Sequence, residues 1–425
     1  MTWLDRQAKR AFVKAADTIA HGSLELVCPK ETYSFTGAGA GETGMMLIHD
    51  ERTFRRAILE GDRGLGEAYL DGDWSSPDLV ALLRMTLRNQ HAFNRLNGPW
   101  SWLARQGWRV AHRLRSNTRD GSRNNISAHY DLGNEFFQLF LDRELLYSSG
   151  WYEREDDSIE TAQIAKLDRL CRKLQLGQDD HLLEIGTGWG GLAIHAATRY
   201  GCRVTTTTIS REQHDYAEAR IRREGLTSRV HLLQDDYRDL TGQFSKIVSV
   251  EMFEAVGLDH YDDFFASCER LTAPGGAVLL QTITINEQDF LTRYARNEDW
   301  MQGHIFPGSE LACLSEVLRS VGRVTTFRPF HLEDLGLHYA RTLNAWRDRF
   351  MTERDRVMRL GFDERFVRMW DLYLAFSEAA FAERHISDVQ LMLTRGYHDG
   401  AYFGEPRLQA PVAVRRAQAT ARDEA

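Results

Sequence analysis

The sequence is short of cysteine and proline and has no long apolar run, and each shortage excludes a class of protein. It holds 5 Cys and 8 Pro among 425 residues. The cysteines form no CxxC pair and no short cluster with histidine, so we expect neither a disulfide framework nor a metal site. No apolar run approaches the roughly 20 residues of a membrane helix, and cations interrupt residues 1–20, where a signal peptide needs an apolar core. Membrane contact is therefore expected to be peripheral.

A surplus of positive charge is also missing. The net charge of -8 opposes a nucleic-acid partner, because binding to DNA or RNA depends on cationic contacts with phosphates. Residues 84–123 are the exception, with nine Arg against one acid, Asp120, a net charge of +8. Aromatic residues lie among these cations, which suits an anionic membrane surface: Phe93, Trp100, Trp102 and Trp108. The alternative is an exposed linker whose arginines pair with the acidic remainder of the chain.

Residues 160–285 alternate between strand and helix patterns, which predicts right-handed βαβ units around a parallel sheet. The predicted strands are residues 181–185, 203–208, 230–233, 246–250 and 277–282, and the predicted helices are residues 159–174, 192–200, 212–224 and 261–271. Ahead of this region, short apolar pieces and glycine turns predict a small mixed domain with a helix near residues 79–87. Residues 310–400 are predicted to be mostly helical.

The strongest local signal is the glycine-rich stretch HLLEIGTGWGG at residues 181–191. A strand that runs into such a turn lets the backbone approach a ligand at the carboxyl end of a parallel strand. A dinucleotide site would need an acid about 20 residues further on, but positions 205–208 are all Thr. Glu184, two residues before the first Gly, instead favours S-adenosylmethionine, since an acid there orients the amino-acid end of that cofactor. A tight turn without a ligand is the remaining interpretation.

Seven motifs in one order resemble those of the cyclopropane-fatty-acyl-phospholipid synthases and the related mycolic acid methyltransferases. They are HYDLGNEFF (129–137), YSSG (147–150), LEIGTGWGG (183–191), TISREQ (208–213), DYRD (236–239), MFEAVG (252–257) and HIFPG (304–308). The stretch LGEAYLDGDW (65–74) resembles a signature of the phospholipid-acting members, which carry an extra N-terminal domain. The resemblance runs from about residue 20 to residue 400.

The resemblance implies an α/β fold, with a class I, Rossmann-like methyltransferase domain and a smaller mixed N-terminal domain that interacts with lipid. We expect the N-terminal domain at residues 1–115, the catalytic domain with helical substrate-covering insertions at 116–405, and a disordered tail at 406–425. The implied cofactor is S-adenosylmethionine. Its expected contacts are Glu184 and the glycines at the methionine part, Tyr147 and Ser148 closing over it, and residues at the ribose and adenine. The full set is Tyr147, Ser148, Glu184, Gly186, Gly188, Gly190, Thr208, Gln213, Asp236 and Tyr237.

The resemblance also implies a bicarbonate ion beside the methyl group, held by Glu254 and Tyr339. Three positions depart from the family pattern: Gln281 stands where much of the family has His, and Ser149 and Ser377 stand where many members have Cys. Gln and Ser can still donate hydrogen bonds to an anion, so we include all five residues in the predicted catalytic set. The acyl tunnel has five candidate lining residues, each of which could equally be plain core: Phe136, Phe137, Trp151, Phe306 and Trp346.

The leading functional prediction is transfer of a methylene group from S-adenosylmethionine to the double bond of an unsaturated phospholipid acyl chain, which forms a cyclopropane. One alternative ends in a methyl-branched or methyl-alkene lipid without a ring. Another alternative is a lipid-binding protein that has lost catalysis. The intact glycine turn and the presence of Glu254 argue against that alternative. We expect a cytoplasmic enzyme at the inner face of the cell membrane, with anionic lipid as its surface partner. A homodimer is compatible with the sequence.

Overall fold

In the part of the chain that the structure describes, the strands form two separate β-sheets. The computed structural model describes residues 2–94, 132–292, 300–306 and 308–395. Most of the cationic segment 84–123, the predicted domain boundary at residue 115 and the predicted tail 406–425 lie outside these residues and stay predictions. No helix in the described ranges is both long and apolar enough to cross a membrane.

The smaller sheet lies in the first quarter of the chain and has the order β2-β1-β3-β4. Its strands are β1 (His21–Val27), β2 (Thr32–Thr36), β3 (Gly39–Ile48) and β4 (Trp74–Ser75). Five helices accompany it: α1 (Trp3–Ala16), α2 (Arg52–Glu60), α3 (Asp62–Leu70), α4 (Leu79–Arg88) and α5 (Gln90–Asn94). Leu24 and Leu26 on β1, like Met46 and Ile48 on β3, are buried at every second position, as expected for strands with one covered face.

The larger sheet has seven strands in the order β10-β11-β9-β8-β5-β6-β7. They are β5 (His181–Ile185), β6 (Arg203–Thr207), β7 (Val230–Leu233), β8 (Phe244–Val250), β9 (Thr272–Ile285), β10 (Arg328–Asp334) and β11 (Ile386–Thr394). Strands β5 to β9 are parallel, whereas β11 runs antiparallel to both β9 and β10. The strand order reverses between β5 and β8, and ligands of open α/β sheets bind at such a switch point.

Helices connect these strands and cover the sheet. They are α6 (Asn134–Phe137), α7 (Ile159–Lys173), α8 (Gly191–His195), α9 (Arg211–Arg223), α10 (Tyr261–Leu271), α11 (Glu287–Thr292), α12 (Trp300–His304), α13 (Leu314–Val324), α14 (Gly336–Thr352), α15 (Arg354–Arg359) and α16 (Glu364–Ala382). The predicted α/β alternation is confirmed, with β5, β7 and α10 at their predicted bounds. The helix predicted to reach residue 200 changes into a π-helical turn after α8.

The prediction that residues 310–400 are mostly helical is wrong for β10 and β11. Strand β11 is buried over seven consecutive residues, 388–394, and lies inside the sheet between β10 and β9. A strand covered on both faces loses the alternation of polar and apolar residues that would have indicated it.

The N-terminal sheet unit packs on helix α16 of the larger unit. Leu372 and Ala375 of α16 belong to the same apolar core as β1 and β3. The two oxygens of Asp371 on α16 have different donors. The Tyr69 hydroxyl donates to Oδ2 at 2.6 Å, and Arg347 Nε of α14 donates to Oδ1 at 2.7 Å. The two units are thus joined by both apolar packing and a buried, charge-assisted network.

Candidate active site

A cleft opens where β5, β6 and β8 end, at the switch point of the larger sheet. Nine of the ten residues predicted to contact the cofactor line it: Tyr147, Ser148, Glu184, Gly186, Gly188, Thr208, Gln213, Asp236 and Tyr237. Strands contribute the residues at their carboxyl ends, and the segment before α7 contributes Tyr147 and Ser148. The sequence motifs, which are up to 90 residues apart, therefore meet in one place.

The glycine turn gives the cleft its floor. Gly186 and Gly188 have φ values of 103° and 52°, which side chains other than glycine rarely adopt. A Cβ on Gly188 would meet nothing within 4 Å, whereas one on Gly186 would meet the Met252 side chain at 3.0 Å. Gly190 differs from its prediction: it does not line the cleft, and its Cβ would face Ala217 of α9 at 3.3 Å. Gly190 turns the chain into α8.

Glu184 is buried at the base of the cleft. The Thr206 hydroxyl donates to its Oε2 at 2.5 Å. Burial raises the pKa of Glu184 to about 8, against the lowering effects of this hydrogen bond and of the Lys166 charge. An acid in this state gains from a cationic partner, which favours its ionised form.

The opposite side of the cleft offers polar groups that are already held in place. Thr208 Oγ1 donates to Gln213 Oε1 at 3.1 Å. Arg238 grips Asp236 with two donors, at 2.8 and 2.6 Å. Burial raises the pKa of Tyr237, so its phenol stays neutral. Their assignments to ribose and adenine stay predictions.

Lys166 is a cleft residue that the sequence analysis missed. It is buried on α7 and lines the cleft, and its ammonium donates to Ser148 Oγ at 2.7 Å. Burial lowers its pKa, and the carboxylates led by Glu251 oppose that shift. A usable signal existed, because Lys166 shares a helix face with Ala162 and Leu170, where an apolar residue is expected.

Glu251 was missed as well, and it is the acid at which the predicted catalytic residues converge. It immediately follows β8 and lines the cleft. Its Oε1 accepts from the Ser149 backbone N–H at 2.8 Å and from Gln281 Nε2 at 2.9 Å, and its Oε2 accepts from the Tyr339 hydroxyl at 2.6 Å. Three of the five residues predicted to be catalytic therefore meet at one carboxylate of the chain itself.

Glu254 has different partners from those predicted. Its Oε1 accepts from Ile283 N–H at 2.6 Å and from Thr282 Oγ1 at 2.9 Å, while the buried Oε2 has no hydrogen-bond partner among the described residues. Burial and the neighbouring Glu251 charge raise its pKa to about 7. Tyr339, its predicted companion at a bicarbonate ion, donates to Glu251 instead. The bicarbonate ion itself stays a prediction.

The two serines of the predicted set differ from each other. Ser149 contributes its backbone N–H to Glu251, since its hydroxyl donates to the Gly150 carbonyl at 3.0 Å. Ser377 is buried on α16, one helical turn beyond Tyr373, and is not among the donors to Glu251.

Asp388 on β11 is a further buried acid beside Glu251, although it does not itself line the cleft. It accepts from Gln281 Nε2 at 2.8 Å, the same nitrogen that serves Glu251. Burial and the charges of Glu251 and Glu254 raise the pKa of Asp388 well above its ordinary value. Asp388 was not among the predicted site residues, because its segment was predicted as helix.

The five candidate tunnel residues separate into two groups. Phe136, Phe137 and Trp346 are wholly buried in one packed aromatic cluster. Phe306 is half-buried and stacks on the cleft residue Tyr147, with ring centroids 6.3 Å apart. Trp151 stacks on His338 at 4.0 Å and does not line the cleft. Phe306 is thus the candidate that lies beside the cofactor cleft.

The residues present fit S-adenosylmethionine. Gly188 leaves open a space that a side chain would fill, Glu184 and Glu251 provide carboxylates for cationic groups, and Thr208 and Gln213 provide partners for hydroxyls. This cleft, at the switch point of a sheet with one reversed strand, defines a class I S-adenosylmethionine-dependent methyltransferase. Residues 117–391 match the family model "Mycolic acid cyclopropane synthetase", and the chain belongs to that family.

Comparison with known proteins agrees with this assignment. Tuberculostearic acid methyltransferase UfaA1 of Mycobacterium tuberculosis is 38% identical over 400 residues, which is 89% of each chain. Cyclopropane-fatty-acyl-phospholipid synthase of Escherichia coli is 37% identical over 355 residues, 82% of this chain and 87% of the relative. The solved structure of mycolic acid cyclopropane synthase CmaA1, complexed with SAH and CTAB, is 28% identical with a TM-score of 0.60, covering 64% of this chain and 98% of that one. The predicted family, fold and cofactor are confirmed.

Proposed function

We propose that the protein adds a methylene group to the double bond of an unsaturated phospholipid acyl chain and so forms a cyclopropane fatty acid. The Escherichia coli relative, a cyclopropane-fatty-acyl-phospholipid synthase, matches over most of both chains. The structural observation that carries the proposal is a buried acidic cluster at the cofactor cleft: Glu251 lines the cleft, and Glu254 and Asp388 lie close enough to Glu251 for their charges to interact.

The chemistry explains why an acidic end is useful. Bound S-adenosylmethionine supplies an electrophilic methyl group. An alkene is a weak nucleophile, so the chain must hold the double bond close and in line. Transfer leaves a positive charge on the acyl chain, which a carboxylate at the cleft wall stabilises. A proton must then leave the added carbon before a ring can close.

Intact-lipid mass spectrometry tests this proposal, after expression in a host without such enzymes. We expect unsaturated phospholipids to gain one CH2 in a form that resists mild hydrogenation. If the lipids gain CH2 but the product takes up hydrogen, the enzyme forms a methyl-alkene and no ring. No gain in any lipid would favour a protein that binds lipid without catalysis.

We further propose that the enzyme reaches its substrate by docking on the anionic inner face of the cell membrane. The support is the +8 segment at residues 84–123. Two of its arginines, Arg84 and Arg88, both pair with Glu383 and so behave as the linker alternative expects. The test should therefore address Arg105, Arg109 and Arg113, which the sequence spaces four residues apart.

Vesicle co-sedimentation measures this docking. Replacing Arg105, Arg109 and Arg113 with Gln should weaken binding to anionic vesicles strongly, and added salt should weaken it in the parent protein, because each cation contributes about 1 kcal/mol near the surface. Arg84→Gln serves as the control with one charge already paired. Binding that ignores both salt and the triple substitution would make the segment a linker. Sedimentation velocity on the protein without vesicles tests whether it forms a homodimer, which the sequence leaves open.

A further inference from the structure

The hydrogen bonds around Glu251 form a complete receptor for a carboxylate. A backbone N–H (Ser149), an amide N–H (Gln281) and a phenol O–H (Tyr339) all donate to its two oxygens, at 2.6 to 2.9 Å. These donors come from the segment before α7, from β9 and from α14. Donors that converge from three elements on one point are typical of a built anion site rather than of chance surface contacts.

The backbone at Glu251 indicates that the carboxylate is held there against a local cost. Its φ is 47°, in the left-handed region that residues other than glycine rarely adopt. The peptide is fixed by the bond from Glu251 N–H to the Gln281 carbonyl at 2.8 Å. Strained residues of this kind cluster at functional sites, where the surrounding structure maintains them.

The hydrogen bonds around Glu251 favour its ionised form more than those around Glu254 and Asp388 favour theirs. Burial raises the pKa of Glu251, whereas the Tyr339 and Ser149 hydrogen bonds and the Lys166 ammonium act in the opposite direction. Asp388 shares the Gln281 donor and also hydrogen-bonds to Glu251, and burial beside Glu251 and Glu254 raises its pKa well above the ordinary value. Because three donors converge on Glu251 and Asp388 shares one of them, the geometry favours the negative charge on Glu251.

We propose that Glu251 is the catalytic base of this enzyme, a carboxylate of the chain itself that occupies the position where the family resemblance places bicarbonate. The inference rests on the proposed function, since it assigns the proton acceptor of that reaction. The inference goes beyond the proposed function because it makes turnover independent of a dissolved anion. Glu251 lines the cofactor cleft, so it faces the space in which the reacting carbon must lie.

The assigned step balances in atoms and charge. Once the acyl chain carries the new methyl group and a carbocation, an oxygen of Glu251 accepts a proton from the added carbon. The electron pair of that C–H bond forms the second C–C bond of the ring and neutralises the cation. The carboxylic acid then returns its proton to solvent, and the Lys166 ammonium favours that return to the ionised form.

Kinetics on the full-length enzyme provide the first test, with unsaturated phospholipid vesicles and buffers freed of bicarbonate. We expect the parent enzyme to keep its turnover when bicarbonate is removed. Glu251→Gln keeps one oxygen that can accept from Ser149 and Gln281, and its NH2 group can donate to the Tyr339 hydroxyl. The amide cannot take a proton, so turnover should fall roughly 100-fold or more. If Glu251 only positioned Tyr339 and Gln281, this variant would remain active. Its S-adenosylmethionine affinity, measured by calorimetry, should stay within about threefold, which shows that the cleft is intact.

Chemical rescue provides the second test and a readout that does not depend on catalysis. Glu251→Gly relieves the positive φ and leaves the three donors for a small anion. Calorimetry should detect bicarbonate or formate binding to this variant without S-adenosylmethionine, and neither the parent nor Glu251→Gln should bind them. Turnover of Glu251→Gly should be low without an anion and rise at least tenfold with one. Gln175→Gly is the matched control, because it relieves a φ of 52° at an exposed position outside the cleft.

Three outcomes would overturn the assignment. One is a parent enzyme whose turnover falls severalfold without bicarbonate, another is full activity of Glu251→Gln, and the third is a Glu251→Gly variant that binds no anion. The failure of the proposed function looks different. In that case the parent enzyme would add no carbon to any lipid, with or without bicarbonate, although anion binding to Glu251→Gly would still be observed.

Discussion

The two ends of the cofactor cleft are built in opposite ways. The glycine end, around Gly186 and Gly188, comes from one continuous strand and turn, and its main property is open backbone next to empty space. The acidic end is made of groups whose positions in the sequence are up to 239 residues apart, from the Ser149 backbone N–H to the Asp388 carboxylate, and its main property is buried charge. The first end needs the absence of side chains, while the second needs several side chains at once.

This difference determines which substitutions each end of the cleft tolerates. At the glycine end a single added side chain would occupy the ligand's space, and its cost to the protein is local backbone strain at a positive φ. At the acidic end each group is compensated by another, so removing one leaves its neighbours with unpaired buried charge. Four predictions follow this contrast, in order of decreasing effect.

Substitution of Gly188 by Val should have the largest effect. The new side chain would enter the cleft, where nothing else lies within 4 Å of its Cβ. We expect S-adenosylmethionine affinity to fall roughly 1,000-fold, about 4 kcal/mol, measured by calorimetry on a folded protein. Gly225→Val is the control, since Gly225 has a φ of 69° and equally open surroundings but lies outside the cleft. Equal affinity losses in both variants would mean that backbone strain, not occupied space, is the cause.

Removal of the Lys166 charge should come next. Lys166→Met leaves Glu251 without its buried cationic neighbour, and unfolding by denaturant should show a loss of about 3 kcal/mol. Adding Glu251→Gln should recover a large part of that loss, because the uncompensated charge is gone. Lys173→Met is the matched control on the same helix: Lys173 is equally buried but pairs with Glu333 at 2.6 Å. Glu251→Gln should not rescue it, and strictly additive losses in the Lys166 pair would contradict the assigned coupling.

The ionisation of Glu184 should make stability depend on pH. Burial raises its pKa to about 8 in the folded protein, against the ordinary value of 4.5 that applies in the unfolded chain. Between these values the unfolded chain binds fewer protons than the folded one, so this residue makes the protein less stable as pH rises. Glu184→Gln should therefore raise the melting temperature by several degrees more at pH 8 than at pH 5, an effect of about 1–2 kcal/mol. The exposed Glu212→Gln should show no such difference, and a parallel shift at both pH values would refute the prediction for Glu184.

The smallest effect is expected at the contact between the N-terminal unit and α16. Tyr69→Phe removes the hydrogen bond to Asp371 and should cost about 1 kcal/mol of stability. Because Arg347 of this network and Tyr339 at the acidic end both lie on α14, we expect turnover to fall while cofactor affinity stays unchanged. Tyr200→Phe, which breaks a similar bond to Asp168 at 2.6 Å, is the control. It should lower stability but leave turnover intact.

The sequence predicted the glycine end well because its information is local. A strand, a turn and a helix follow one another in the motif, and β5 has its predicted bounds of 181–185. Glu254 was recognised within its motif, yet Glu251, three residues earlier, was overlooked because no local pattern distinguishes a cleft carboxylate from a solvated one. What distinguishes it is the convergence of Gln281 and Tyr339, and that depends on the packing of β9 and α14 beside β8.

Asp388 shows the same limit more strongly. Its segment contains enough apolar residues to be mistaken for helix, and only the pairing of β11 with β9 sets Asp388 beside Ile283 and brings it within reach of Gln281. Lys166, in contrast, could have been found, because a Lys on the apolar face of an amphipathic helix is a visible exception in the sequence. Buried charges at unexpected positions of regular patterns are thus the predictable part of such a site.

The left-handed backbone at Glu251 has a consequence for how such enzymes can diversify. Glycine adopts this conformation freely, so a glycine at position 251 could keep the same backbone. Glycine and glutamate codons differ by a single nucleotide, so one point mutation can exchange a tethered carboxylate for an open anion pocket with the same three donors. The source of the proton acceptor, either a side chain of the protein or an anion from solution, can therefore change in one genetic step while the remainder of the fold stays as it is.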